Sequence, residues 1–290
     1  MAETWTIQRV LRWTAEHFAG RGIDSPRLTA EVLLAHALGV TRLQLYLKFD
    51  QPLEDAELSR YRGLVKRRAE GVPTQHLVGG REFHGRWFQV DARAFIPRPE
   101  TELLVEACLA ALPLGEAGDA LDLCAGSGCV GLSLLAERPE LRLAAVELSP
   151  AAAQVARANA AALGLADRWE LLEGDLFAPM GERRGFRVIA ANPPYVPSGE
   201  IPGLAVEVRE HDPRLALDGG PDGLAVIRRL VPEAARRLAP GGTLALEIGE
   251  GQGDAVRALM EEAGLADVRL VRDYARLERV VTGLLAPAPS

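Results

Sequence analysis

Over the first 75 residues, apolar side chains recur at helical spacing. Ile7, Val10, Leu11, Thr14 and Phe18 follow the spacing of one helical face, and Gly20 and Gly22 end the run. Ser25-Pro26 reads as an N-cap followed by proline at the first helical position, with Leu33, Leu34, Ala37 and Leu38 on the buried face and Gly39 as the stop. Thr41 is placed to cap a short helix through Leu47. After Pro52, the positions Leu58, Tyr61, Leu64, Val65 and Ala69 mark another amphipathic helix, ended by Gly71 and Pro73. The pattern predicts a small helical domain over residues 1–75 with a core of its own.

The period changes at Leu77. Glu82-Phe83 and Phe88-Gln89-Val90 flank His84-Gly85-Arg86 and predict a hairpin, so residues 76–96 read as a connector. Ile96-Pro97-Arg98-Pro99 is a stiff extended segment, because each proline biases its predecessor away from the helix. A helix over Glu100–Leu112 follows. From residue 118 onward strands and helices alternate. Apolar runs at Ala120–Leu123, Leu143–Val146, Glu170–Leu172, Val188–Ala191 and Thr243–Ile248 predict strands, separated by helices over Val130–Glu137, Pro150–Leu163, Leu224–Leu238 and Gly253–Ala263. Continuous apolar strands joined by helices imply a parallel sheet covered on both faces, an α/β domain over residues 97–290. Val268–Val271 and Arg279–Leu284 are close enough in sequence to form a final antiparallel pair, and Ala286–Ser290 reads as a frayed tail.

Composition narrows the function. Hydrophobic residues make up 48% and charged residues 25% of the 290, enough apolar material for two cores. Lys and Arg number 33 against 40 Asp and Glu, a net charge of −7, and the surplus of carboxylates lies beyond residue 75. A chain whose main ligand is a phosphate backbone would carry the opposite balance, so no direct nucleic-acid partner is expected. Cys108, Cys124 and Cys129 form no disulfide framework and no zinc-ligand spacing, so they read as reduced thiols and no metal is expected. Arg9, Arg12 and Glu16 interrupt any apolar signal core, and no apolar run approaches the ~18 residues of a membrane span. The expectation is a cytoplasmic protein with no membrane partner.

The chemistry concentrates in two segments. In Leu121-Asp122-Leu123-Cys124-Ala125-Gly126-Ser127-Gly128-Cys129-Val130-Gly131, a strand runs through a glycine-rich turn into a helix, and Glu147 stands at the end of the next strand. This is the pattern of a nucleoside pocket: glycines admit the ligand to the backbone, and the carboxylate accepts hydrogen bonds from the ribose hydroxyls. Taken alone it does not choose between a dinucleotide and S-adenosylmethionine. Asp175 and Leu176 follow the third strand, where they would meet adenine by polar edge and apolar face; the plainer alternative makes Asp175 a helix N-cap.

The second segment is Asn192-Pro193-Pro194-Tyr195, directly after the strand Val188–Ala191. Two prolines lock the chain in an extended turn and remove two backbone donors. What remains to face a crevice is acceptors, the Pro193 carbonyl and the Asn192 side-chain oxygen, beside the Tyr195 ring. Such a corner suits a planar NH2 group, whose two N–H bonds it would accept while aiming the nitrogen lone pair at an electrophile.

The Asn-Pro-Pro-Tyr corner after such a loop resembles the amino-methyltransferases that use S-adenosylmethionine. More narrowly, Phe95-Ile96-Pro97-Arg98-Pro99-Glu100-Thr101-Glu102, Gly174-Asp175-Leu176-Phe177, Ala216–Leu224 and Leu246-Glu247-Ile248-Gly249 resemble the bacterial peptide chain release factor glutamine methyltransferases. The likeness runs from Arg67, Gly71-Val72-Pro73, Gln75 and Gly79 to Arg279-Val280-Val281. It implies a Rossmann-like methyltransferase domain behind a small helical domain. It also implies transfer of a methyl group to the glutamine amide nitrogen in the Gly-Gly-Gln motif of class I release factors. Carried over to this chain, Cys124, Ala125, Gly126, Ser127, Gly128, Glu147, Asp175 and Leu176 would bind the cofactor. Asn192 would touch both pockets, and Asn192–Tyr195 would hold the amide. One departure is Cys124, where the wider pattern often has glycine; cysteine there is expected to need a negative φ.

Two related activities stand beside this one: methylation of a glutamine of a large-subunit ribosomal protein, whose enzymes resemble a Pro-Arg-Ser-Pro pattern where this chain has Pro-Arg-Pro-Glu, and adenine-N6 methylation of nucleic acid, which the charge balance opposes. A third alternative is a dinucleotide-binding protein. Other polar groups have plainer readings. Arg98 and Glu100 read either as substrate contacts or as solvated or ion-paired charges. His211 lies in a polar connection, Pro197–Asp222, without periodicity, and is disfavoured as a base. Cys129 packs at a helix start, and Lys66-Arg67-Arg68 read as a solvated helix face or a docking patch. A monomer is expected.

Overall fold

The computed structural model describes residues 4–287, and most of the expected tail lies at or outside that limit. The chain divides into two compact units, Met1–Gly80 with Val206–His211, and Arg81–Ala205 with Asp212–Ser290.

Five helices build the first unit: α1 (Ile7–Ala19), α2 (Pro26–Leu38), α3 (Arg42–Leu47), α4 (Asp55–Ala69) and α5 (Thr74–Val78). Their apolar stripes meet in a core of Leu11, Phe18, Leu33, Leu34, Leu45 and Tyr61. Thr41 caps α3 in a full capping box with Gln44. Ser25 does not act as the side-chain cap of α2: it sits in the left-handed region at φ 47°, not in the extended region from which a cap side chain reaches the helix amides, and it makes no capping bond. The basic run on α4 is also not uniformly solvated. Arg68 is 7% exposed and pairs with Glu207 at 2.7 Å, so the helical turn Val206–Arg209 is tied into this unit.

In the second unit a hairpin of β1 (Gly80–Phe83) and β2 (Arg86–Gln89) turns at His84-Gly85, as its pattern predicts. A 3-10 turn at Pro99–Thr101 leads into α6 (Glu102–Ala110), so the helix expected from Glu100 starts after the prolines' extended segment. A seven-stranded sheet follows: β3 (Gly118–Leu123), β4 (Leu141–Glu147), β5 (Trp169–Glu173), β6 (Phe186–Ala191), β7 (Leu238–Glu247), β8 (Leu265–Arg272) and β9 (Glu278–Leu285). Their spatial order is β5-β4-β3-β6-β7-β9-β8, with β3 to β7 parallel and β9 antiparallel to both neighbours. Helices α7 (Cys129–Glu137), α8 (Pro150–Ala162), α9 (Ala225–Arg237) and α10 (Gly253–Glu262) connect the strands.

Successive strand residues face opposite ways, and the core divides accordingly. Leu121, Leu123, Ile189, Ala191, Leu244 and Leu246 pack with Ile227, Leu230, Val256 and Met260 of α9 and α10. Ala120, Leu143, Ala145, Val188, Ala190 and Ala245 pack with Leu104, Val105, Leu132, Leu135 and Ala156 of α6 to α8. Each fully buried leucine contributes roughly 1.5–3 kcal/mol, so the alternation specifies which face every strand residue takes.

Candidate active site

Register fixes the site. Leu123 is level with Val146 on one side and Ala191 on the other, Val146 with Leu172, and Ala191 with Leu246. One position further on, past or at the carboxyl edge, come Glu173, Glu147, Cys124, Asn192 and Glu247 in a row. The chain crosses from one half of the sheet to the other between β3 and β6, and ligand crevices open at such a switch point. A cavity of about 390 Å³ lies here, lined by Cys124, Ala125, Gly126, Ser127, Glu147, Asp175, Leu176, Asn192, Pro194 and Tyr195 among others. Of the residues expected at the site, Gly128 and Pro193 are not in that lining. Gly128 is the N-cap of α7 at φ 80°, and a Cβ there would stand 3.0 Å from Leu132 Cδ1.

The glycine-rich turn is held at several points. The Ala125 amide donates to the Val146 carbonyl at 3.1 Å, and Gly128 to Ala125 at 2.7 Å. Asn159, 1% exposed, donates to the Ser127 carbonyl at 2.9 Å and exchanges two bonds with Gln89. Glu147 accepts from the Gly126 amide at 2.7 Å and from the Ser149 amide at 2.8 Å, one bond to each oxygen. Each oxygen keeps a second lone pair for a hydroxyl donor. A Cβ on Gly126 would meet only the Cys124 carbonyl at 4.0 Å, so the backbone there is bare toward the cavity.

Cys124 corrects its expectation. Its φ is +58°, in the left-handed region, so this cysteine adopts the glycine-like geometry and stores strain of roughly 1–3 kcal/mol at the site. Leu176 is likewise at φ 47°. Asp175 is not a side-chain cap: its carboxylate pairs with Arg229 at 2.5 Å on the cavity rim. Burial lifts the Cys129 thiol to about 12, which leaves it a packing residue. His211 falls in the helical unit and outside the cavity lining. Arg98 is ion-paired, 2.5 Å from the fully buried carboxylate of Asp212, with its guanidinium over the Phe95 ring at 4.8 Å.

The Asn192–Tyr195 corner is fixed from behind by glycines. A Cβ on Gly219 would lie 2.8 Å from the Pro194 carbonyl oxygen, and one on Gly223 would lie 2.2 Å from that of Tyr195. Gln252 donates to the Tyr195 carbonyl at 3.0 Å while accepting from the Gly249 amide at 2.9 Å. The connection Pro197–Asp222 thus has order that periodicity does not reveal, including a helical turn at Arg214–Leu217 and a parallel bridge from Val196 to Asp218. Asn192 donates through Nδ2 to Thr101 Oγ1 at 3.3 Å, which turns its oxygen the other way.

Three site groups escape a reading of the sequence for roles: Asp122, Thr101 and Glu247. Asp122 is 1% exposed, accepts from the Gly131 amide at 2.9 Å and lines the cavity. Burial pushes its carboxyl up to about 7, the charge of Glu147 adding to this and the Gly131 bond opposing it. The signal for Asp122 and Glu247 is a charge set inside an apolar run, Ala120–Leu123 in one case and Leu244–Ile248 in the other. Thr101 has no comparable mark. Among the described residues no group of side chains is arranged to hold a metal, and no helix is long and apolar enough to cross a membrane.

Residues 9–79 match the family model of the PrmC N-terminal domain, and residues 99–208 that of the methyltransferase small domain. A release factor glutamine methyltransferase of Geobacter sulfurreducens is 43% identical over 97% of both chains. Another, from Caulobacter vibrioides, is 42% identical over 98% of this chain and 99% of its own. A T. thermophilus 16S rRNA N2 G1207 methyltransferase, solved with AdoMet and guanosine, shares the fold at a TM-score of 0.51 and 22% identity. That likeness covers 71% of this chain and 49% of the other.

Proposed function

The chain belongs to the release factor glutamine methyltransferase family, and from that premise we propose that it methylates the side-chain amide nitrogen (N5) of the glutamine in the Gly-Gly-Gln motif of class I release factors. The observation that carries the reading is the strand-edge row. It sets a hydroxyl-accepting carboxylate, Glu147, two strands from an amide-accepting corner at Asn192, both on one cavity.

S-adenosylmethionine fits the residues present: the backbone bare at Gly126, the free lone pairs of Glu147 and the apolar face of Leu176. Cys124, Ala125, Gly126, Ser127 and Gly128 form its loop, Glu147 takes the ribose hydroxyls, and Asp175 and Leu176 take adenine. When bound, it supplies an electrophilic methyl group on a sulfonium.

The rest falls to the chain's own side chains. Asn192 Oδ1 and the Pro193 carbonyl accept the two N–H bonds of the substrate amide, Pro194 keeps the turn free of a competing donor, and the Tyr195 ring flanks it. An amide nitrogen is a poor nucleophile because its lone pair is delocalised. Holding both N–H bonds restrains rotation and stabilises positive charge as it develops on nitrogen. The surplus proton then passes from nitrogen to solvent, so no strong base is needed.

The enzyme works in the cytoplasm as a monomer, without direct contact to nucleic acid or membrane. The relatives' names favour a release factor over the ribosomal-protein and adenine alternatives. Mass spectrometry of purified release factor before and after incubation tests the proposal: one methyl group on the Gly-Gly-Gln glutamine is expected, and an unmodified release factor beside a methylated ribosomal protein overturns it.

A further inference from the structure

Two carboxylates of the strand-edge row stand outside the proposed contacts: Glu173 is exposed and pairs with Arg157, whereas Glu247 is buried. Glu247 ends β7 one position past Leu246, the partner of Ala191, and so lies level with Asn192. It shares the face of Ala245 and Ala190, the side on which Thr101 opens into α6. It is 2% exposed, and Thr101 beside it is 1% exposed. Tyr195 Oη donates to Glu247 Oε1 at 3.2 Å, while Glu247 Oε2 is buried without a hydrogen-bond partner among the described residues, beside the side chains of Thr101 and Asn192.

We propose that Glu247 is a positioning residue for the methyl-accepting amide: with Thr101 it holds the Asn192 side chain in the one orientation that presents an acceptor to the substrate. This inference rests on the amide-holding role of Asn192. The Thr101 oxygen receives Asn192 Nδ2 at 3.3 Å, and a carboxylate with an unpartnered buried oxygen beside it draws the Thr101 hydroxyl proton toward itself and leaves that lone pair to the amide. Asn192 Oδ1 is then left for the cavity. Rotating the amide by half a turn would set its oxygen against Thr101 and the carboxylate and confront the substrate NH2 with another NH2. Charge on Glu247 therefore decides which of two nearly isosteric rotamers the corner uses. The Tyr195 bond adds a second tie, so both ends of the Asn192–Tyr195 turn lean on one buried group.

The same burial pushes the Glu247 carboxyl up to about 7, with the neighbouring polar side chains of Thr101, Tyr195 and Asn192 opposing the rise and the negative charge of Glu100 adding to it. Arg98 and Arg279 face Tyr195 from the Pro97–Pro99 segment and from β9. Protonated Glu247 would hand Thr101 a donor and weaken the preference, so turnover should fall as pH drops through this region.

The test uses the whole enzyme with release factor as substrate and four variants, each checked for folding by circular dichroism. Glu247→Gln sets an NH2 group among three donors, and Thr101→Val removes the relay at constant volume. Each is expected to lower kcat about tenfold. KM for release factor and the calorimetric Kd for S-adenosylhomocysteine should each stay within about twofold. The double variant should lose about as much as one single variant, because both changes cut the same chain. The acid limb of kcat near neutral pH should flatten in Glu247→Gln. Asn192→Ala is run alongside. If Asn192→Ala is impaired while Glu247→Gln keeps the wild-type kcat and acid limb, the inference fails and the amide-holding role stands. If Asn192→Ala turns over like wild type, that role itself fails. Additive losses in the double variant refute the relay. Should Glu247→Gln not fold, wild-type kcat in folded Thr101→Val refutes it equally.

Discussion

Replacing Glu147 by alanine separates the two duties the structure gives this carboxylate. At 8% exposure it holds the Gly126 and Ser149 amides at 2.7 and 2.8 Å, and in the proposed complex it also receives the ribose hydroxyls. Hydrogen bonds to a charged group contribute about 1.5–3 kcal/mol, which corresponds to a rise of roughly 10- to 150-fold in the Kd for S-adenosylhomocysteine. The two backbone donors lose their acceptor as well, so the folded state should weaken by about 1–3 kcal/mol, read by thermal unfolding of the ligand-free protein. Glu147→Asp keeps two acceptor oxygens one methylene further back and should fall between. Isothermal calorimetry supplies the decisive number. A folded Glu147→Ala whose Kd lies within twofold of wild type would refute the ribose assignment, whatever happens to stability.

The remaining predictions concern the corner and the pocket floor. Asn192→Ala should stay folded, being only half-buried at a strand end, yet lose about 10²–10³-fold in single-turnover methylation at saturating cofactor; near-wild-type turnover would end the amide-holding role. Gly223→Ala demands a left-handed φ of 77° from alanine and drives a Cβ to 2.2 Å from the Tyr195 oxygen, so it should cost more than about 1 kcal/mol in thermal stability and also slow turnover; neither effect appearing would mean the glycines do not brace the corner. Asp122, pushed up to about 7 in the fold, binds more protons folded than unfolded between about pH 4 and 7. Over that window stability falls as pH rises, and Asp122→Asn should remove up to ~4 kcal/mol of the decline at about 1.36 per pH unit. Parallel urea titrations of both proteins across pH 4–8 check it; identical pH slopes would exclude the shifted carboxyl.

What could be read from the chain was whatever local chemistry enforces. The strands at Ala120, Leu143 and Val188 show as apolar runs because both faces of a parallel sheet are dry, and Thr41 caps its helix within three residues of itself. The Asn192 corner is legible for the same reason, since two prolines dictate the backbone whatever surrounds it. Features set by distant partners left no such trace. Arg68 lies in a basic run that reads as solvated, yet its buried guanidinium pairs with Glu207, far along the chain, besides donating to the Val72 carbonyl. Strand β7 begins at Leu238, earlier than its apolar run, because Ala239-Pro240-Gly241-Gly242 carries no strand propensity and is drawn in by pairing of Phe186 with Leu238. Cys124 at φ +58° goes against the residue's own preference; the ties of the Ala125 and Gly126 amides to Val146 and Glu147 at the carboxyl end of β4 hold it there.

The strand-edge row also explains why the chemistry tolerates so little freedom. Adjacent strands lie roughly 4.8 Å apart, so Glu147 on β4 and Asn192 after β6, two strands away across β3, are about 10 Å apart along the edge. That separation calls for an elongated ligand laid across the switch point, with its nucleoside at one end and its reacting atom at the other. Because side chains alternate with a period of two, a slip of one residue in β6 would send Asn192 to the face of Ile189 and Ala191, away from Thr101 and Glu247. The slip is opposed by every residue of the run, since Val188 and Ala190 would have to exchange environments with Ile189 and Ala191 between two packed layers. Orientation of a single amide oxygen is thus set twice, coarsely by the apolar pattern of the strand and finely by a buried acid on its neighbour.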